Sequence, residues 1–247
     1  MSIIKNICLY DEYADIQNAA AISLIKEVNA CSITRMLEIG CGTGNYTRLL
    51  TEKFNGAGIV AVDKSKQMIE VAKKKLEGKA IEFIVGDAED LKPDREFDLI
   101  TSNAVFQWLK DFERAMSNYK NALTGNGVIV FSMFGPATFW ELQHSLKAAL
   151  GSHVNIDAVN FLKQDEIETI MKRYFKSVIV REEVVKETFD SLAELLNKIR
   201  CTGAWGNAVR SILLWKKDAF KKTEEVYNSS FGKIEASYQI FFCKGMK

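Results

Sequence analysis

The residues with the clearest chemical purpose lie in one run, Met36-Leu-Glu-Ile-Gly-Cys-Gly-Thr-Gly-Asn45. Gly40, Gly42 and Gly44 permit a tight turn and let a ligand lie against bare main chain. An apolar strand leads into this turn and a helix is expected to leave it. A dinucleotide fingerprint asks for G-x-G-x-x-G; here the glycines fall as G-x-G-x-G, with Asn45 in the sixth place. Glu38, just before the turn, would repel a pyrophosphate and suits a cationic ligand such as an amino acid or a sulfonium. Asp63, at the end of the next strand, is placed to bind ribose hydroxyls. Asp87 follows the third strand and Asn103 ends the fourth. Four polar side chains are thus expected along one edge of a sheet.

That edge must be built by the elements around it. MLEIG (36–40), GIVAVD (58–63), IEFIVGD (81–87), FDLITSN (97–103) and GVIVFSMF (127–134) are short apolar, β-branched runs of the kind a doubly covered parallel strand shows. Helical stretches are expected near 14–28, 45–54, 66–77 and 111–123. The alternation predicts an α/β fold with a doubly wound, mostly parallel seven-stranded sheet. After Phe134 the rhythm changes, with helices expected over 135–150, 165–175, 191–200 and 204–227. The closing strands are expected at about 178–187 and 236–245. The reading is one domain over 1–247, its cofactor-binding core at about 30–135 plus the closing strands. A helical cap fills about 136–175 and 189–227.

Composition narrows the class. Of 247 residues, 47% are hydrophobic and only two are proline, enough apolar material for a full core. The net charge of +1 demands no polyanionic partner, and nucleic acid is not expected as one. Five scattered cysteines with no C-x-x-C, and two histidines without cysteine company, argue against a disulfide framework and a metal site. The N-terminal segment does not read as a signal peptide, and no stretch approaches the roughly 20 apolar residues of a membrane span. The expectation is a cytoplasmic monomer.

Glu38-x-Gly-x-Gly-x-Gly44 resembles the first motif of the class I S-adenosylmethionine-dependent methyltransferases. Gly86-Asp-Ala-Glu89 and Ser102-Asn-Ala104 agree with that family in order. The resemblance implies S-adenosylmethionine as cofactor, leaving as S-adenosylhomocysteine. It is expected to be held by Glu38, Gly40, Gly42, Gly44, Asp63, Lys64, Met68, Asp87, Ala88, Asn103 and Gln17. The fourth strand lacks the Asn/Asp-Pro-Pro-aromatic tetrad of amino-methylating nucleic-acid enzymes. Tyr10-Asp-Glu-Tyr-Ala-Asp-Ile-Gln17, Asn103-Ala-Val-Phe-Gln-Trp108, Phe134-Gly-Pro-Ala-Thr-Phe-Trp-Glu-Leu142, Ile199-Arg-Cys-Thr-Gly-Ala204 and Ala236-Ser-Tyr-Gln-Ile-Phe241 together resemble the malonyl-acyl-carrier-protein O-methyltransferases of early biotin synthesis.

This second resemblance implies methylation of the free carboxylate of a malonyl thioester on an acidic carrier protein. A carboxylate is already an ionised nucleophile, so positioning should dominate over acid–base work. Arg200 is expected to clamp the carboxylate with its planar fork, with an exposed solvated arginine as the alternative, helped by Tyr10, Gln17 and Trp108. Phe106 and Phe134 are expected to wall the substrate channel, with hydrophobic fill as the alternative. Arg210, Lys217 and Lys221 share one helical face and are expected to dock the carrier, with an ordinary solvated face as the alternative. Two other readings compete. One is a methyltransferase for a free small-molecule carboxylate; the other is a catalytically silent S-adenosylmethionine-binding protein.

Overall fold

Runs rich in Val, Ile and Phe pair into a single sheet in the computed structural model, which describes residues 10–28, 33–91, 95–202 and 217–247. The strands are β1 (Arg35–Ile39), β2 (Gly58–Asp63), β3 (Ile81–Val85), β4 (Phe97–Asn103), β5 (Leu123–Phe134), β6 (Ser177–Phe189) and β7 (Ile234–Met246). Their order is β3-β2-β1-β4-β5-β7-β6. The first five are mutually parallel where they pair, and β7 runs antiparallel to both its neighbours. The winding reverses between β1 and β4, so a crevice opens beyond their carboxyl ends, where open α/β sheets take their ligands.

Eight helices of eight or more residues are described. These are α1 (Asp15–Glu27), α2 (Asn45–Lys53), α3 (Lys66–Lys75), α4 (Phe112–Ala122), α5 (Trp140–Leu150), α6 (Gln164–Tyr174), α7 (Leu192–Cys201) and α8 (Lys217–Phe231). Successive strand residues face opposite layers. Met36, Ile59, Ala61, Leu99 and Val130 meet Ile16, Ala20 and Leu24 of α1 and Leu50 of α2. Leu37, Ile39, Val60, Val62 and Ile100 meet Phe112, Met116 and Tyr119 of α4 and Ile167 and Met171 of α6. Burial on both faces explains why the strands read as unbroken apolar runs. Each such fully buried side chain stabilises the fold by about 1.5–3 kcal/mol.

Two expectations change. Helix α6, expected in the cap, instead covers the sheet: it packs on α4 and β6, with Ile167, Met171 and Phe175 in the same cluster as Phe241 and Cys243. The closing strands also run longer than expected, paired from Ser177↔Met246 to Phe189↔Ile234. Of the expected helix over 204–227, residues 217–227 fall in α8, and 204–216 lie outside the described residues. Of the other helices expected in the cap, α5 lies along α8 and across β7, and α7 packs on β6 and β7.

Two buried polar anchors seat this cap. Glu141 of α5 accepts from the Ser237 backbone N–H (3.0 Å) and from its hydroxyl, with both residues almost fully buried. Lys198 of α7 is 5% exposed because its ammonium donates to Asp15 at the start of α1 and to Glu187 of β6. The other Glu187 oxygen accepts from Tyr238 of β7 at 3.3 Å.

Glu141→Ala strands the Ser237 N–H without an acceptor and leaves a void. Unfolding free energy should fall by about 2–3 kcal/mol in urea titration. Glu141→Gln keeps one acceptor and should lose roughly half as much; equal stability of all three proteins would mean that the anchor is dispensable.

Candidate active site

The Gly loop leaves β1 and turns into α2. Gly40 has φ 72°, and a Cβ there would stand 2.3 Å from Val105, so no other residue fits. Gly44 has φ 86° and presses on α3, where a Cβ would meet Leu76 at 3.0 Å. Its role is to seat two helices against each other, not to line the cleft. Gly42 has nothing within 4 Å of its missing Cβ and faces the cleft. Asp63 shapes the loop from the next strand: one oxygen accepts from Gly42 N–H (2.9 Å) and the other from Ser65 N–H (2.8 Å).

A cleft of about 1500 Å³ runs along these strand ends. Of the residues expected to hold the cofactor, Gly40, Gly42, Asp63, Lys64, Met68, Asp87, Ala88, Asn103 and Gln17 line this cleft, and so does Tyr10, expected as a helper for the carboxylate. Asp87 is held by Glu89 N–H (3.0 Å), and the Ala88 carbonyl accepts from the Tyr119 hydroxyl (2.9 Å). Asn103 donates to the Gln17 carbonyl (2.9 Å) and accepts from Ser132, which ties β4 to α1. Cys41, Thr43 and Asn45 also line the cleft; burial pushes the Cys41 thiol well up, so it is inert filler.

A second, smaller cavity adjoins the first. Tyr10, Gln17, Ala104, Trp108 and Thr202 wall both. Its remaining lining is Phe134, Phe139, Leu142, Ile156, Ala158, Phe161, Ile199 and Tyr238, with polar Gln107, Thr138 and Asp157. Trp108 is 39% exposed and meets Phe161 edge-on at 5.1 Å between centroids, so it is a gatepost and not core. Among the described residues this cavity's wall holds one acid, Asp157, and no cation.

Besides Gly44, three sequence expectations are not met here. Phe106 is 1% exposed and packed among Phe112, Tyr119 and Phe131; it is core, walling neither cavity. Arg200 is exposed, donates to Asn197 on its own helix and lines neither cavity. Glu38 lies behind the Gly loop instead of in the cleft wall. Burial pushes its carboxyl up to about 8; the Thr47 hydroxyl tempers the rise and the Asp63 charge adds to it. Neither Glu38 Oε2 nor Thr47 Oγ1 has a well-formed hydrogen bond. Lys217 and Lys221 are exposed on α8, away from both cavities, and Arg210 lies outside the described residues. Sequence reasoning passed over Thr138, Tyr238 and Thr202 as site residues, although all three sit inside or beside the motifs singled out above.

Residues 37–131 match a family described as a methyltransferase domain. The chain is 32% identical over 225 residues to malonyl-acyl-carrier-protein O-methyltransferase 1 of Ilyobacter polytropus, covering 90% of this chain and 83% of that protein. The enzyme of that name from Bacillus anthracis is 33% identical over 245 residues, covering 94% and 90%. The chain belongs to the malonyl-acyl-carrier-protein O-methyltransferase family. Among solved structures, the YcgJ protein of Bacillus subtilis superposes with a TM-score of 0.64 at 17% identity, covering 93% of this chain and 98% of that one, a likeness of fold.

The methyl donor of this family is S-adenosylmethionine, and the cleft fits it. Gln17 Oε1 is buried without a partner between the two cavities, in want of a donor such as the cofactor's ammonium. Asp63 retains free lone pairs for ribose hydroxyls. A cation bound in front of the loop would favour ionisation of the buried Glu38 carboxyl, which the ligand-free fold keeps protonated.

The sign of the Glu38 shift sets a pH dependence. Between about pH 4.5 and 8 the native state keeps a proton that the unfolded chain has released, so ligand-free stability should fall as pH rises through that window. Glu38→Gln should flatten this dependence in thermal melts at pH 5.5 and 8; an unchanged slope would assign it to another group. Asp63→Ala removes two charged acceptors at the loop, and calorimetry should show cofactor affinity falling by more than about tenfold.

Proposed function

We propose that this chain methylates the free carboxylate of a malonyl group carried as a thioester on acyl-carrier protein, yielding the malonyl methyl ester that enters biotin synthesis. The observation that carries this reading is the second cavity, apolar-walled and joined to the cofactor cleft through five shared residues. A thioester-linked acyl group needs a dry, narrow approach of this kind. A free dicarboxylate would bring a second charge against Asp157 and an aromatic wall, which disfavours the small-molecule alternative.

When bound, S-adenosylmethionine supplies an electrophilic methyl group, which the carboxylate oxygen takes while the sulfur keeps the electron pair, so no proton moves. The protein's task is placement and exclusion of water. Tyr10 stands at the junction of the cavities, and burial pushes its phenol up to about 12, with the charges of Asp63 and Asp11 adding to the rise. It therefore stays protonated and can donate to the carboxylate oxygen that does not react. Phe134, Phe139 and Tyr238 pack against one another and keep the acyl side apolar. Tyr10 thus takes over the clamping role that the sequence reading assigned to Arg200.

Carrier docking by Lys217 and Lys221 remains part of this proposal, although α8 also carries Asp218, Glu224 and Glu225 and its outer face is mixed in charge. Labelled methyl transfer to malonyl-carrier protein, malonyl-coenzyme A and free malonate, assayed side by side, tests the substrate. The thioesters should turn over and malonate should not; preference for malonate would sink the reading. Tyr10→Phe should lower kcat by about tenfold or more with cofactor affinity nearly kept, whereas Arg200→Ala should stay within about twofold of the parent. Reversing Lys217 and Lys221 to Glu should cut kcat/KM for the carrier substrate alone, in a salt-dependent way.

A further inference from the structure

The strap ahead of α1 is fastened to both halves of the site. Residues 10–13 form one helical turn, set off from α1 by Ala14. Asp11 on this turn accepts from Thr43 Oγ1 (2.6 Å) and Asn45 Nδ2 (3.1 Å), at the Gly loop and the first residue of α2. Its other oxygen pairs with Lys75 Nζ (2.6 Å) at the end of α3. Two residues on, the Tyr13 hydroxyl accepts from Asn197 Nδ2 of α7 (3.0 Å), and Asp15 takes the Lys198 ammonium. Tyr10 sits just ahead of these fasteners, in the walls of both cavities.

Asp11 differs from an ordinary surface ion pair. Thr43 is almost fully buried, and the Asp11 side chain is half-buried. Burial works against the Asp11 charge, yet donors from Lys75, Thr43 and Asn45 outweigh it and hold the carboxyl below its usual range. Asp11 lines neither cavity, so removing its side chain deletes no wall contact. Thr43 and Asn45 do line the cofactor cleft, so Asp11 grips the very loop on which the cofactor rests.

We propose that Asp11 is a positioning residue that latches the Tyr10-bearing strap over the cofactor cleft, so that the cofactor exchanges only when this latch opens. The proposal rests on the reading of that cleft as the S-adenosylmethionine site. It implies an order: the cofactor loads first, the strap closes and completes the acyl cavity, and S-adenosylhomocysteine leaves last. Asp11→Ala loosens the latch at all three donors. Asp11→Asn keeps an acceptor for Thr43 and Asn45 and loses only the charge facing Lys75.

The test is the dissociation rate of labelled S-adenosylhomocysteine from the full chain, chased with excess unlabelled ligand. Asp11→Ala should speed release by about tenfold or more, while Asp11→Asn and Lys75→Ala should each speed it by about threefold. The melting temperature of the ligand-free protein should stay near the parent's in all three. Release within twofold of the parent in both Asp11→Ala and Lys75→Ala overturns the latch. So does a uniform loss of ligand-free stability that accounts for the faster release. Failure of the parent to bind either form of the cofactor in calorimetry removes the cofactor reading and the latch together; firm binding with unaltered release removes the latch alone.

Discussion

The pair of hydrogen bonds that Asp63 accepts from Gly42 N–H and Ser65 N–H is the contact on which the site depends. It joins the turn after β1 to the turn after β2, and the Val62 carbonyl reinforces it by accepting from both Gly40 and Cys41 N–H. A charged acceptor makes each such bond worth about 1.5–3 kcal/mol. The loop is therefore shaped by the sheet before any ligand arrives. The cleft wall, the start of α2 and the anchoring of the strap at Thr43 and Asn45 all inherit that shape.

The second cavity has backbone strain in its wall. Ala104 (φ 56°) and Phe139 (φ 59°) are the two non-glycine residues with positive φ among those described, and both wall the second cavity. Such a conformation costs on the order of 1–3 kcal/mol each and persists only where neighbours enforce it. Ala104 N–H is drawn to the Ser132 carbonyl and hydroxyl, both at 3.0 Å. Phe139 N–H donates to the Ser237 carbonyl at 2.7 Å, next to the Glu141 anchor. Each bend brings its residue into the wall of the second cavity.

The cofactor half was legible in the sequence because its parts recur at the ends of consecutive strands, where period and position coincide. Asp63, Asp87 and Asn103 needed only their strand ends to be found. The acyl half was harder, since its walls come from segments far apart in the chain and nothing local distinguishes a lining aromatic from a core one. Phe106 and Trp108 lie two residues apart in one short 3-10 turn, yet one is buried and the other forms the gate. On α7 the apolar stripe was clear, but the buried cation is Lys198 and not Arg200. Its partners Asp15 and Glu187 come from other elements, and only the tertiary fold reveals them. Helix α6 was misplaced for a related reason: two helices in succession suggested a cap, although the face of α6 matches the sheet.

The insertion of β7 between β5 and β6 has a consequence for biosynthesis. During translation, β5 and β6 emerge long before the strand that must lie between them. The five-stranded parallel half can form from contacts already made, whereas β6 gains its sheet neighbour only once residues 234–246 have left the ribosome. Tyr238 and the Ser237 anchor for α5 arrive in that same late segment. The strands that carry the cofactor cleft can therefore pair without β7, while the second cavity gains Tyr238 only through pairings of large sequence separation, the kind that form slowly.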